Sequence, residues 1–490
     1  MKIPPNQNLD RDYLNFVKTV KTFPLVSYSF VGFILSISAL PLYIATPSIY
    51  AGLGQTIFVT GMMLMIIRLV DAFTDPIFGS LIDRTGGHRF LRWLNPSLII
   101  LASSVFFLFN PPDSLNEFGL VIWLTVFAIL VRASMTFYHV PHLALGAELA
   151  EDYDQRSTLY AFSTFFGYMG GVIFVPLSYR IFFPTTEEFN PALLNEDAYF
   201  TWSIFAGVLM VFAILICVFG TQKEIPRLQA RVSSRSSNFE LKLLQTELLD
   251  AFSNGSFRTI FFGMILCMFI ISVEAVLSPF MGFHFFEMTT EQLSFFSIGQ
   301  LIGLMLSVLF VPLLTARFDK KPTLIGCALL VVFLVNIPIV LILLNFDWFP
   351  QPGSDSLLII LVINSGLTTM LAIALFATVN SMFADIADEH ELETGERREG
   401  IIFSARSFAN KFTASAGLVF GGILLDYIGF PRGAVTGQVS GDVVWQLGFI
   451  AGPATSIFTI LGVLLFFRYK IDRVRHREII DLLKRGERNI

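Results

Sequence analysis

Three charged side chains stand in an otherwise apolar stretch, "IIRLVDAFTDPIFGSLIDRTGGHR", residues 66–89. Arg68, Asp71 and Asp75 are spaced i, i+3 and i+7, so one face of a helix carries all three. A charged side chain at the centre of a membrane costs about 2.5–3.5 kcal/mol on insertion scales. Arg68 neutralises one carboxylate, which leaves the other to hold Na⁺ or a proton. The alternative is a permanent ion-paired contact between helices; we favour cation binding, because ionisable clusters inside membranes are usually functional.

The amino-acid composition indicates whether water or lipid surrounds these charged residues. Hydrophobic residues make up 54% of the 490 positions and charged residues only 14%, which is too apolar for a soluble fold. Runs of about 20 apolar residues cross the hydrocarbon core of a bilayer as helices. We count twelve such runs and number them span one to span twelve: 23–45, 55–79, 93–110, 118–143, 159–182, 199–220, 258–286, 293–316, 322–346, 356–384, 400–428 and 443–468.

The loops predict the orientation and the division of the chain. Most of the 33 Lys and Arg residues fall in the two termini and in alternate loops, which predicts that both termini are cytoplasmic. We expect a multi-pass protein of a cell membrane, in particular a bacterial inner membrane. Six spans precede a long polar segment and six follow it, an arrangement typical of major facilitator transporters. The predicted regions are a six-helix bundle (1–220), a cytoplasmic loop with an amphipathic helix (221–257), a second six-helix bundle (258–468) and a basic cytoplasmic tail (469–490).

Four segments, in the right order, resemble one family. "DAFTDPIFGSLIDRT" at span two, "VPHLALGAELAEDYDQRSTL" after span four, "ADIADEHELETGERREG" after span ten and "SARSFANKF" in span eleven are similar to the glycoside-pentoside-hexuronide:cation symporters, the family of the melibiose permease. The resemblance implies an all-α membrane protein of twelve transmembrane helices in the major facilitator fold, with two six-helix bundles. It also implies cation-coupled symport.

The resemblance implies a cation site at span two. Asp71 and Asp75 match the cation-binding aspartates of the family, Thr74 stands in place of an asparagine, and Thr136 matches a threonine. All four side chains offer oxygen, which hard cations prefer. The hydroxyl at Thr74 leaves the choice between Na⁺ and H⁺ open. We expect no other metal and no cofactor.

The resemblance also places residues beside the substrate, and several differ from those of the sugar carriers. Ser36 falls in the position of a helix-one Lys-Asp pair, His139 replaces an aspartate, and Thr164 replaces an arginine. A galactoside is therefore not the expected substrate. The residues predicted to line the substrate site are Ser36, Arg132, His139, Thr164, Ser407 and Lys411.

The remaining charges of this site are basic. Arg132 and His139 share a face of span four, and Lys411 lies in the other half. This pattern favours a substrate with a carboxylate or phosphate. Alternatively, Arg132 pairs with Glu274 or an aspartate and only holds helices together. His139 and His142 suggest a metal site, but no third ligand is evident, so a hydrogen-bonded histidine is favoured.

Charges in the cytoplasmic loops are predicted to act in gating. The residues are Asp83, Arg84 and Arg89 after span two, and Asp385 and Asp388 after span ten. The first group resembles the general facilitator motif whose charges bridge neighbouring helices. The second group is expected to face Arg397 and Arg398. The alternative is that all of them are ordinary solvated loop charges.

The function that follows is a cation-coupled symporter of a small polar solute, sugar-derived or anionic, which works by alternating access. Neither H-E-x-x-H nor Walker A nor G-x-S-x-G motifs occur, so we do not expect an enzyme. The alternatives are a proton-driven exporter of a small anionic metabolite and a transporter of lysolipids or other amphiphiles. The expected partners are a small-molecule substrate and the bilayer, without nucleic acid, and the protein is expected to be a monomer.

Overall fold

The computed structural model describes residues 22–29, 50, 59–63, 66–67, 89–149, 153–222, 252, 254–394, 399–431 and 433–485. The regular secondary structure within these ranges is entirely helical. Six of the helices within them are long and apolar enough to cross a bilayer: Glu117–Tyr138, Glu196–Thr221, Gly255–Phe285, Lys320–Leu343, Asp355–Glu393 and Gly441–Phe466.

Each of the predicted spans three to twelve corresponds to helix, which confirms these predictions. In order, the helices are Arg89–Phe109, Glu117–Leu149, Tyr153–Ile181, Glu196–Thr221, Gly255–Phe280, Phe296–Arg317, Lys320–Leu343, Asp355–Thr394, Glu399–Tyr427 and Gly441–Phe449 with Thr455–Phe466. A π-helix, Met281–Phe285, continues span seven, and another, Ile450–Ala454, joins the two parts of span twelve. Spans one and two lie mostly outside the described residues, where only the helix Thr22–Ser29 and a few positions of span two are seen.

Span ten is longer than the apolar run that predicted it. The run ends at residue 384, whereas the helix continues to Thr394. Apolar residues mark only the part of a helix that faces lipid or core, while the helix itself ends where a stop signal occurs. In the sequence, the first glycine after the run is Gly395, and glycine is a residue type that commonly follows the end of a helix. The extra turns carry the acidic residues Asp385 and Asp388 at the end of the helix.

The chain forms two compact units, and the second contains most of the described residues. The units comprise Met1–Leu42, Phe73–Phe174 and Asp197–Arg235, and Tyr43–Ala72, Val175–Glu196 and Ser236–Ile490. In the second unit, glycines bring spans eight and ten together. A Cβ atom added to Gly299 or Gly303 would collide with the carbonyl oxygen of Val362 or Gly366. Small residues at such crossings let two helix backbones approach closely within a membrane.

A tail helix, Arg473–Arg485, follows span twelve and packs against span ten. Its Ile479 is fully buried and belongs to the same apolar core as Phe383 of span ten and Phe466 of span twelve. The sequence predicted only a basic cytoplasmic tail for this segment, residues 469–490. The buried isoleucine shows that the tail helix is also part of the packed second unit.

Candidate functional site

The predicted cation site is described only at Thr136. This residue is 4% exposed on span four, one turn after Arg132, which is partly buried. The spacing places both on one face of the helix. The other residues predicted for this site and its surroundings lie outside the described residues: Ser36, Arg68, Asp71, Thr74 and Asp75.

The predicted substrate residues that the structure describes lie on spans four, five and eleven. His139 lies on span four, in register with Arg132, and Thr164 lies on span five. Ser407 and Lys411 are one turn apart on span eleven, where Lys411 is partly buried. Two partly buried cations, Arg132 and Lys411, therefore occur within predicted spans, one in each compact unit.

The ring of His142 is buried, stacked on an aromatic ring and hydrogen-bonded. It is 2% exposed, its ring stacks on that of Tyr28 at 4.0 Å, and its Nε2 lies 3.0 Å from the Tyr28 carbonyl oxygen, which accepts the hydrogen bond. The ring centroid of Tyr138 is 5.5 Å away. The residue therefore joins the helix Thr22–Ser29 to span four. Among the described residues, no three His, Cys, Asp or Glu side chains are arranged to bind a metal.

The predicted gating residues Asp385 and Asp388 form part of a cluster of Lys320, Asp385, Asp388 and His476. We call it the cytoplasmic cluster, after the side on which the loop charges predict it to lie. The Lys320 ammonium donates to both carboxylate oxygens of Asp385, at 2.7 and 2.6 Å. The Nε2 atom of His476 lies 3.4 Å from Asp385 and 3.2 Å from Asp388. Asp385 is only 4% exposed, and burial raises the pKa of its carboxyl, although Lys320 and His476 beside it offset part of this rise.

Local capping positions the elements of the cytoplasmic cluster. One carboxylate oxygen of Asp319 accepts from the main-chain N–H of Lys320, at 2.7 Å, and caps span nine. The other oxygen accepts from the N–H of Arg473, the first residue of the tail helix, at 2.8 Å. Burial raises the pKa of the Tyr469 hydroxyl, and the carboxylates of Asp385 and Asp319 nearby raise it further. Span nine, the end of span ten and the tail helix thus meet at one charged cluster.

Sequence reasoning did not identify Lys320 and His476 as the partners of these aspartates. Arg397 and Arg398, which were expected to face them, lie outside the described residues, as do Asp83 and Arg84; Arg89 is the first residue of span three. An internal repeat in the sequence could have identified Lys320 as a residue of this cluster. "AELAEDYD", residues 147–154, matches "ADIADEHE", residues 384–391, while the Asp-Arg after span two matches the Asp-Lys after span eight. Lys320 is therefore the counterpart of Arg84.

A second set of polar contacts lies at the opposite ends of the spans, on the side predicted to face away from the cytoplasm. We call it the outer cluster: Arg180, Thr185, Thr290, Glu291 and Ser294. The Arg180 Nε donates to Ser294 Oγ at 3.1 Å, and the Thr185 N–H donates to Glu291 Oε1 at 2.7 Å. Thr290 Oγ1 donates to the Phe183 carbonyl at 2.7 Å. The segment after span five is thereby tied to the loop after span seven.

Hydrogen bonds set the charge state of Glu291. Burial is the largest single effect and favours the neutral carboxyl, but the hydrogen bonds from Thr185, from the N–H of Glu291 itself and from Thr289 together favour the ionised form more strongly. The net effect is a pKa of Glu291 below its ordinary value. The loop residue is therefore held as an anion by neutral donors, whereas Asp385 has the Lys320 ammonium as its partner.

Comparison with known proteins identifies the family. The family model described as "MFS/sugar transport protein" matches residues 25–473. A sodium-dependent lysophosphatidylcholine symporter 1 of Gallus gallus is 25% identical over 86% of this chain and 81% of its own. A lactose permease of Leuconostoc lactis is 22% identical over 95% of this chain and 71% of its own.

The solved structures extend this likeness to the fold. A bacterial homologue of the human lysosomal transporter Spinster superposes with a TM-score of 0.61 at 12% identity, covering 94% of this chain and 96% of its own. This likeness supports the fold alone. With a family model that matches residues 25–473, the full range from the first predicted span to the tail, the chain is a multi-pass membrane protein of the MFS/sugar transport family.

Proposed function

We propose that this protein is a symporter that couples Na⁺ or H⁺ to the movement of a small polar solute by alternating access. The observation that carries the proposal is the family match over residues 25–473, which covers all twelve predicted spans. The proposed membrane is a bacterial inner membrane, with both termini in the cytoplasm, as the distribution of Lys and Arg in the loops favours. Apart from the coupling ion we propose no cofactor, and we propose that the protein acts as a monomer.

For the cation, we propose that Asp71 and Asp75 are the ligands, assisted by Thr74 and Thr136. The support is their position in span two, where a carboxylate without a cation is costly, together with the burial of Thr136 on span four. Two carboxylates and two hydroxyls offer the oxygen atoms that a hard cation prefers.

The test is solute accumulation in liposomes containing the purified protein. Asp71→Asn and Asp75→Asn remove a charge without changing the size of the side chain, so each variant should fold but fail to concentrate solute against its gradient. Asp355→Asn is the matched control, because Asp355 is exposed at the start of span ten. Normal accumulation by both span-two variants would contradict the assignment of the coupling site.

For the solute, we propose a sugar-derived or other small molecule that carries a carboxylate or phosphate. The support is the pair of partly buried cations, Arg132 on span four and Lys411 on span eleven. Charge-assisted hydrogen bonds are roughly twice as strong as neutral ones. Arg132→Gln and Lys411→Gln should therefore weaken binding of an acid more than binding of its neutral amide. Equal losses for both ligands would mean that these cations position helices and do not select charge.

A lysolipid is the second candidate, because a relative 25% identical over 86% of the chain is named as a lysophosphatidylcholine symporter. Its phosphate would use the same cations, but its acyl chain would need an apolar path. Thermal stabilisation by a panel of sugars, uronates, small acids and lysolipids, with and without Na⁺, separates the two candidates. Stabilisation by lysolipids alone would replace the first proposal.

A further inference from the structure

Span seven carries an acidic side chain that the proposed cation and substrate sites do not use. Glu274 lines a cavity of about 530 Å³, a volume that includes the open space at its mouth. Spans seven, nine, ten and twelve contribute the walls, all within the second compact unit. No residue that the structure describes forms a hydrogen bond or an ion pair with Glu274.

The walls of this cavity do not compensate a negative charge. Most of the lining is aliphatic, with Ile270 and Leu375 as examples, and Phe376 is the aromatic side chain among them. The hydroxyls of Ser456 and Thr459 are the polar groups that span twelve contributes. An unpaired carboxylate in such a place costs several kcal/mol, and it avoids this cost by taking up a proton.

The described residues that line the cavity offer the carboxyl no positively charged side chain. The lining residues of spans nine, ten and twelve have no ionisable side chain, and Cys267 is the other ionisable group that span seven adds to the wall. Span eleven packs on span seven where Gly417 meets Ser272. It carries Arg406, Lys411 and Asp426, and none of these three residues lines the cavity.

A polar chain leads from the cavity toward span nine. The Asn336 amide donates to Ser456 Oγ at 2.6 Å and to the Val332 carbonyl at 2.7 Å. The Oδ1 atom of Asn336 is buried and has no hydrogen-bond partner among the described residues. It is available to accept from a small donor that enters beside Ser456, which is how buried polar sites hold water.

We propose that Glu274 and its cavity form a proton-binding site, separate from the cation site predicted around Asp71 and Asp75. A proton fits this lining better than a metal ion, because one carboxyl suffices for a proton, whereas hard cations require several oxygen ligands. The chain then has an ionisable carboxyl inside the spans of each half. A role of this proton in coupling rests on the proposed symport, but proton binding itself does not.

The test uses the purified full chain in lipid nanodiscs without solute. In pH-difference infrared spectra, the parent should show the C=O stretch of a protonated carboxyl group that disappears on alkaline titration. Glu274→Gln should lose one such band. Glu274→Asp keeps an ionisable group and should retain the band at a shifted frequency. Glu287→Gln, the same change at an exposed position just after span seven, should match the parent.

Three results would overturn the proposal: identical spectra for the parent and Glu274→Gln, loss of the band when Na⁺ is added at constant pH, or loss of the band in Asp71→Asn but not in Glu274→Gln. The second would indicate a sodium site, and the third would assign the proton to span two.

Solute accumulation is measured separately. Accumulation that is absent in the parent, with the band intact, would count against symport and not against the proton site.

Discussion

The two polar clusters of the second compact unit stabilise a carboxylate in different ways. In the cytoplasmic cluster, Asp385 is almost fully buried and has an ammonium at 2.6 Å and an imidazole at 3.4 Å. In the outer cluster, Glu291 is held by a main-chain N–H at 2.7 Å and by hydroxyls. Charged partners compensate a buried charge more strongly than dipoles do. Burial nevertheless raises the pKa of Asp385, so we expect the difference to appear as a larger cost when the ammonium is removed.

This difference agrees with what each cluster joins. The cytoplasmic cluster connects spans nine and ten to the tail helix, all of which follow the central loop. The outer cluster ties the segment after span five to the loop after span seven, so it connects the two sequence halves. Alternating access moves one half against the other. A contact between halves has to break in each cycle, which suits partly buried hydrogen bonds, whereas a buried ion pair inside one half can be permanent.

The largest effect is expected from removing the charged partner of Asp385. Lys320→Met leaves the Asp385 carboxylate, which is 6% exposed, without its ammonium partner, and breaking such a pair costs about 3 kcal/mol. The apparent thermal midpoint of the purified protein, at one scan rate, should fall clearly. Lys321→Met is the matched control, because the Lys321 ammonium donates to the main-chain carbonyls of Phe467 and Tyr469. An equal fall of the thermal midpoint in both variants would show that the Lys320–Asp385 pair contributes no more stability than the hydrogen bonds of Lys321.

The second prediction extends the comparison to the first half. By the internal repeat, Arg84 corresponds to Lys320 and Glu148 corresponds to Asp385. We therefore expect Arg84 and Glu148 to pair, with a coupling energy of about 1 kcal/mol in a double-mutant cycle. Arg84→Glu should lower transport, and the exchange Arg84→Glu with Glu148→Arg should restore part of it. If the exchange is no better than the single change, the two halves differ in this contact.

The helices could be predicted from sequence because a bilayer imposes one strong condition. A spanning segment must be continuously apolar for about 20 residues, and spans three to twelve satisfy this so clearly that helix covers each of them. The same condition gives no information beyond the lipid boundary. Span ten therefore continues to Thr394 although its apolar run ends at 384.

The partners at the candidate sites could be predicted only in part. Asp385 and Asp388 were identifiable as charges at a helix end, but Lys320 is 65 residues from Asp385, and His476 is 88 residues from Asp388. Packing of the tail helix, through the buried Ile479, brings His476 to them. The spacing of residues along the chain does not predict such a contact. The internal repeat, in contrast, predicts that Lys320 corresponds to Arg84.

The smallest expected effect concerns pH at the outer cluster. Because the pKa of Glu291 is lowered from 4.5 in the folded protein, the ionised form contributes stability that is fully present above pH 4.5. This contribution is lost as the pH falls through the lower, folded-state value. The thermal midpoint of the parent should therefore fall more steeply in acid than that of Glu291→Gln. The change is small, since Glu291 is largely solvated and solvent screens its interactions.

Glu188→Gln is the control for this measurement, because Glu188 is exposed in the segment after span five and is not part of the outer cluster. Its acid profile should follow that of the parent. Added salt should separate the two clusters further, because screening weakens exposed interactions more than buried ones. The difference in thermal midpoint between the parent and Glu291→Gln should shrink. The lower thermal midpoint of Lys320→Met should persist. If the Glu291→Gln profile instead coincides with the parent in acid, the Thr185 hydrogen bond does not hold Glu291 as an anion, and the outer cluster depends on Arg180 and Thr290.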